Sequence, residues 1–224
     1  MKFVLLLLAS AIPAYLLGSV NGAIETSKYL YRKDIRNFGS GNPGLTNFYR
    51  VFGKGGALLV IVIDAIKTLA PVAFGGWLFG RYTEMAPTVV MGFGRLFQAS
   101  LFGQTISGLF VILGHCFPLF YKFKGGKGVM ATGVILIVLD WRLALISWGT
   151  FIILTALTRF VSLASMAGAA TFPIAQWVLG LGGVWEIIIS AMCVALLIAR
   201  HAPNIRRLIK GEEPKFSLSR KAIL

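Results

Sequence analysis

Side chains that hold metals or cross-link chains are nearly missing from this sequence. Its 224 residues include 2 Cys, 2 His and only 8 Asp and Glu. Cys116 and Cys193 stand far apart in apolar stretches, which excludes a C-x-x-C metal pair and gives no sign of a disulfide framework. They read as small buried hydrophobes. No carboxylate or histidine group is spaced as a ligand set, so no metal or other cofactor is expected. Charge is thin as well, at 13% of residues against about 25% in soluble domains. Repeats, low-complexity tracts and soluble domains are absent, so residues 1–224 read as one integral-membrane domain.

Apolar residues make up 57% of the chain, glycine is frequent with 26 residues, and the mean hydropathy is +0.79. A spanning helix needs roughly 17–25 apolar residues. The runs 3–24, 57–80, 98–117, 129–139, 143–158, 161–180 and 184–199 give an all-α polytopic membrane protein of about seven transmembrane helices. The fourth run is too short to cross alone and is expected to borrow residues from its flanks. The first resembles a signal peptide, but its apolar run continues to Ala23-Ile24 and a dense basic segment follows, which favours an uncleaved span.

The net charge of +14 is unevenly distributed. Lys28, Arg32, Lys33, Arg36, Arg50 and Lys54 follow the first span, Lys122, Lys124 and Lys127 the third, and Arg159 the fifth. Arg200, Arg206, Arg207, Lys210, Lys215, Arg220 and Lys221 follow the last. Only Lys2, Arg81, Arg95 and Arg142 fall on the other side, with Lys67 inside the second span. The positive-inside rule then sets the N-terminus outside and the C-terminus in the cytoplasm, which fits an odd number of spans.

Four polar segments share that cytoplasmic face. The first, GSGNPG at 39–44, fits the dinucleotide fingerprint G-x-G-x-x-G, which carries weight only between a strand and a helix. Here it follows a membrane span and a basic loop, and no sheet is readable, so a nucleotide fold is set aside. Backbone N–H groups around Gly39 and Gly41 can instead curl around an anion. Ser40, Asn42, Thr46 and Asn47 add side-chain donors and Arg50 a guanidinium suited to phosphate. The bland alternative is a tight loop whose polar residues cap a helix.

The second segment, GHCFPLFYKFKGGKGV at 114–129, fails the Walker pattern. Tyr121 stands where that motif needs glycine, and Gly128 where it needs Ser or Thr. It nevertheless sets Lys124 and Lys127 around Gly125 and Gly126 at the start of a helix, an arrangement that favours anions. An ordinary positive-inside loop is the alternative. The third segment, TRFVSLAS, carries Arg159 at the membrane boundary with Ser162 and Ser165 on roughly one helix face, although such serines also serve as packing contacts. The fourth, RHAPNIRRLIKGEEPKF, brings His201, Asn204, Arg206 and Arg207, and taken alone is a basic tail attracted to anionic headgroups. Together these suit binding one or more phosphates at the membrane surface.

The stretches DIRNFGSGNPGLTNFYR, GHCFPLFYKFKGGKGV, TRFVSLAS and RHAPNIRRL, in this order between apolar spans, resemble the bacterial membrane-integral glycerol-3-phosphate acyltransferases that use acyl phosphate. The resemblance runs from Gly18 to about Phe216. It implies a seven-helix enzyme of the bacterial inner membrane with its site facing the cytoplasm. That enzyme would move a fatty acyl group from acyl phosphate to the sn-1 hydroxyl of glycerol 3-phosphate, the first acylation of phospholipid synthesis. Lysophosphatidate and inorganic phosphate would be the products. Its expected partners are these two substrates and membrane lipid, with no nucleic acid, and it is expected to be a monomer.

The family's phosphate-binding and active-site positions would fall on Ser40, Asn42, Thr46, Asn47, Arg50, His115, Lys124, Lys127, Arg159, Ser162, His201 and Asn204, with the glycines 39, 41, 125 and 126. Ser40, Arg50, His115, Lys127 and His201 are the candidate catalytic groups. Three departures stand out: Ser19-Val20-Asn21 where the family often has Ser-Ile-Pro, Met130 in place of alanine, and a longer stretch from Arg81 to Gln104. An acyl phosphate already carries a good leaving group, so the task is alignment of the reactants and stabilisation of developing charge. His115, His201 or a substrate phosphate can serve as general base. Phe120 and Arg206 lie five residues after the two histidines, so the H-x-x-x-x-D arrangement of another acyltransferase group is absent.

The rival from another class is an organic-anion transporter. Transporters gather polar groups at the bilayer midplane, whereas here Asp64 and Lys67, three residues apart, are expected to pair within the second span. A lipid-binding scaffold without catalysis is the third reading, disfavoured by the Ser-, Asn- and Gly-rich loops.

Overall fold

The computed structural model describes residues 2–82 and 98–216. Every regular element among the described residues is helical. The helices are α1 (Lys2–Gly18), α2 (Gly22–Tyr31), α3 (Leu45–Phe52), α4 (Ala57–Tyr82), α5 (Ala99–Cys116), α6 (Val129–Leu139), α7 (Trp141–Thr158), α8 (Val161–Val178), α9 (Val184–Arg200) and α10 (Ala202–Ile209). Arg95 and most of the Arg81–Gln104 stretch lie outside the described residues.

Among the described residues, five helical stretches are long and apolar enough to cross a membrane, or six if α9 and α10 count as one span bent by 57°. Val129–Leu139 is the exception. Gly128, in a left-handed conformation, opens it, and Asp140 both ends it and caps α7 by accepting from the Arg142 amide at 2.8 Å. Its 11 residues cover only about 16 Å, against a hydrocarbon core of about 30 Å. The expected borrowing from its flanks does not occur, so among the described residues this run is not a full-length span.

The first span, expected over residues 3–24, falls within one apolar stretch, Lys2–Tyr31, whose helix is interrupted after Gly18 and resumes as α2. Asn21 caps α2 through Oδ1, which accepts from the Ile24 amide at 2.9 Å. Its Nδ2 donates to Pro43 O at 3.1 Å, tying the break to the GSGNPG loop.

Helix α5 is the hub. In its span 67% of residues are buried, against 17% in α7, which faces outward. Val111, Ile112 and Cys116 of α5 pack with Ala14, Val72, Ala131, Ile135 and Cys193 from four neighbouring helices. Against α4 the backbones come close: a Cβ on Gly103 would strike the backbone of Gly75. Small residues at such contacts are how helices associate in lipid, where apolar burial alone gives no preference for protein. Large apolar side chains such as Leu58, Ile153, Leu157 and Val178 point outward. In water they would be liabilities; on a spanning bundle they face acyl chains.

A second cluster lies at the loop end of the bundle. Phe48, Val51 and Phe52 of α3 pack on Ala23, Ile24, Ile35, Val60 and Tyr121. That packing turns the other face of α3 toward α6, α8 and α10.

Candidate active site

The GSGNPG loop is shaped by Asn47, buried on the first turn of α3. Its Oδ1 accepts from the Ser40 amide at 2.9 Å and its Nδ2 donates to Phe38 O at 3.0 Å. Gly39 takes φ 60°, which L residues rarely adopt, and a side chain there would collide with the Asn47 amide. Gly44, the N-cap of α3, makes no side-chain capping bond, so the first-turn amides of α3 stay open toward the cavity. Ser40, Asn42, Thr46 and Arg50 line the same space. Asn47 touches it too, but both of its amide atoms are committed to the loop.

Opposite stands a network built on Glu213. Its Oε1 accepts from Ser162 Oγ at 2.6 Å and Asn204 Nδ2 at 2.7 Å, and its Oε2 from Arg207 Nε at 2.7 Å. Asn204 Oδ1 in turn accepts from Lys127 Nζ at 2.5 Å. Burial pulls the Lys127 ammonium down to about 8, helped by Arg207, Arg50 and Arg200 and opposed by Glu213. Burial pushes the Glu213 carboxyl up, but bonds from Ser162, Asn204 and Arg207 more than offset this and hold it below its ordinary range.

The second glycine segment is clamped from both sides. The Gly126 amide donates to His115 O at 3.0 Å, while Arg200 donates to Gly126 O at 3.0 Å and Gly125 O at 2.9 Å. The Arg200 guanidinium also stacks 5.2 Å from the Phe117 ring centre. A Cβ on Gly126 would overlap His115 Nε2, so only glycine lets this loop close over the ring. His201, at the bend between α9 and α10, donates through Nδ1 to Leu197 O at 2.8 Å.

These groups surround one cavity of about 870 Å³. Its polar end holds the 39–50 loop, Lys127, His115, His201, Ser162 and Asn204; its other end is walled by Ile137, Trp148, Phe151 and Ile152 of α6 and α7. Such a space takes a ligand that is anionic at one end and apolar at the other. No group of three His, Cys, Asp or Glu that could hold a metal occurs among the described residues.

Of the residues singled out from sequence, Gly39, Ser40, Asn42, Thr46, Asn47, Arg50, His115, Lys127, Ser162, His201 and Asn204 line this cavity. Gly41, Lys124, Gly125, Gly126 and Arg159 do not. Lys124 and Arg159 are exposed; Arg159 ends α7 with its amide donating to Thr155 O at 2.9 Å, and its carbonyl accepts from the Phe216 amide at 2.8 Å. In the sequence Arg200 counts only as one of the tail's basic residues, and Glu213 carries no assigned role. The one signal for Glu213 was a pair of acids, Glu212-Glu213, inside a basic tail of a chain with only 8 acids.

The glycerol-3-phosphate acyltransferase family profile matches residues 8–211. A glycerol-3-phosphate acyltransferase of Albidiferax ferrireducens is 36% identical over 220 residues, covering 96% of this chain and 90% of the relative. One from Methylococcus capsulatus is 37% identical over 207 residues, 92% of this chain and 94% of the relative. The fold matches a crystal structure of PlsY, an integral membrane glycerol 3-phosphate acyltransferase, in its glycerol 3-phosphate form. The TM-score is 0.80, with 31% identity over 94% of this chain and 96% of that one. The lysophosphatidic acid form matches with a TM-score of 0.76 and 29% identity over 95% and 96% of the two chains.

Proposed function

Because this chain belongs to the glycerol-3-phosphate acyltransferase family, we propose that it moves a fatty acyl group from acyl phosphate to the sn-1 hydroxyl of glycerol 3-phosphate, from a cavity opening to the cytoplasm. The observation that carries this reading is the cavity's two-ended character. Open amides of α3 with Arg50 and Lys127 stand at one end, and an aliphatic and aromatic wall at the other. The phosphates of donor and acceptor belong at the first, the donor's acyl chain along the second.

In the transfer, the sn-1 oxygen attacks the acyl carbon and the carbon–oxygen bond to the phosphoryl group breaks. Inorganic phosphate leaves and the ester remains. Lys127 and Arg50 stabilise charge gathering on the departing phosphate, and loop amides do so for the acyl oxygen. The hydroxyl proton goes to His201 Nε2 or to a phosphate oxygen of bound substrate. With Nδ1–H committed to Leu197 O, His201 keeps its lone pair on Nε2. Buried and lining the cavity, that nitrogen is the better placed of the protein's proton acceptors.

The test is an assay on detergent-solubilised protein with palmitoyl phosphate and glycerol 3-phosphate, following phosphate release and lysophosphatidate together. Acyl-CoA, an acyl carrier protein thioester and Arg50→Ala run alongside. Equal amounts of both products from acyl phosphate alone, lost in the variant, support the reading. Transfer from a thioester only removes the donor assignment. Glycerol 3-phosphate uptake into proteoliposomes without transfer replaces catalysis with transport.

A further inference from the structure

Asp64 and Lys67 pair as their spacing predicts, with Nζ 2.9 Å from Oδ1, and both are almost wholly buried, at 1% and 5% exposure. A buried ion pair is weak support for stability, and ionisable groups within a span are costly enough to demand a reason. This pair does not close on itself. Lys67 Nζ also stands 2.5 Å from Val20 O and 2.9 Å from His115 Nδ1, while Asp64 Oδ1 accepts from the Gly22 amide at 3.1 Å.

An ammonium has three donors and no acceptor. Lys67 meets three acceptors: a carboxylate, a carbonyl and an imidazole nitrogen. His115 Nδ1 must therefore present its lone pair, and the one proton of the neutral ring sits on Nε2. That edge of the ring packs against Gly126, where any side chain would overlap Nε2, and His115 is among the residues lining the cavity.

We propose that the Asp64–Lys67 pair is a positioning device that locks His115 in its Nε2–H form, making it a hydrogen-bond donor to a substrate oxygen and removing it as general base. The inference rests on the acyl-transfer reading for the identity of that oxygen, on a phosphoryl or acyl group; the lock itself does not. The charged groups facing His115 are Asp64 and Lys67 from α4 and Arg200 from α9. A proton arriving on Nδ1 would meet the Lys67 ammonium head-on. His201 has the opposite arrangement, Nδ1–H to a carbonyl and Nε2 open, so the two histidines divide the donor and acceptor roles between them.

The experiment is ¹⁵N NMR of histidine-labelled full-length protein in detergent, with the His201→Gln variant to assign the His115 signals. The wild type is expected to show His115 protonated on Nε2 at neutral pH. Asp64→Asn/Lys67→Met removes both charges together, leaving no lone buried ion and so sparing the fold. It is expected to abolish that preference and lower kcat about tenfold or more, with KM for glycerol 3-phosphate little changed. His115→Gln, which keeps a donor near the Nε2 position but no base, is expected to retain far more activity than His115→Leu. A wild-type His115 protonated on Nδ1, or on both nitrogens, overturns the lock. A double variant that loses the tautomer and keeps its kcat overturns the positioning role. If the wild-type protein transfers no acyl group from any donor, the functional reading fails, and the NMR signature still decides the lock.

Discussion

Lys127 Nζ and Asn204 Oδ1 lie 2.5 Å apart although 77 residues separate them in sequence. The contact joins the second glycine loop to α10 and leaves the lysine donating to a neutral amide in a crowd of arginines. Its charge is consequently conditional.

With Lys127 drawn down to about 8 by burial, the cation that would hold phosphate is lost as pH rises through that value. We expect kcat/KM to fall above about pH 8, and the limb in kcat to lie higher because bound phosphate favours the ammonium. Lys127→Arg should shift this limb out of range, since a guanidinium stays charged. Lys127→Met should lower kcat/KM about a hundredfold or more. The sign for folding is opposite: between about 8 and the ordinary 10.5 the unfolded chain binds more protons, so stability rises with pH there.

Glu213 joins α8 to α10 through Ser162, Asn204 and Arg207. Glu213→Gln should cost about 2 kcal/mol, a figure held down because Arg207 is 33% exposed. Its carboxyl is held below the ordinary range, so its contribution is present above the unfolded value and is lost as pH falls through the folded one. Thermal melts in detergent from pH 7 to pH 3 should show the wild type losing stability faster than Glu213→Gln.

Asn47 acts on the site from inside the loop. Asn47→Asp retains the acceptor for the Ser40 amide and gives up the bond to Phe38 O. It should raise KM for glycerol 3-phosphate less than Asn47→Leu, which releases both ends. Equal effects would show that the acceptor contact does not set the loop.

Trp148 stands over Gly133 at the apolar end of the cavity. Trp148→Ala should shift preference toward longer acyl phosphates, by up to about fourfold in relative kcat/KM per added methylene, from roughly 0.8 kcal/mol per buried CH₂. Competition between acyl phosphates of graded length measures this directly.

The glycine segments announced themselves in the sequence because close backbone approaches tolerate little else, and the Asp64–Lys67 pair because helical spacing is local. The role of Glu213 was hidden, since its partners Ser162 and Asn204 lie 51 and 9 residues away and nothing local marks them. Lys124 and Lys127 looked equivalent in FKGGKGV; only the fold of the loop turns Lys127 inward and leaves Lys124 exposed. Hydropathy ran α1 into α2 because Ser19, Val20 and Asn21 interrupt geometry more than they interrupt apolarity. The short α6 is visible as a short run, but Gly128 and Asp140 carry no hydropathy signal that marks them as its ends.

The wall formed by Trp148 and Ile152 is shared between the cavity and the outside of the bundle, where both side chains remain exposed. On the proposed acyl-transfer reading, one reactant would be counted in moles per litre of water and the other in moles per mole of lipid. Adding inert phospholipid at constant total donor should slow the reaction through surface dilution, with no change in affinity for the water-soluble partner. The rate law of such a catalyst is two-dimensional in one substrate and three-dimensional in the other.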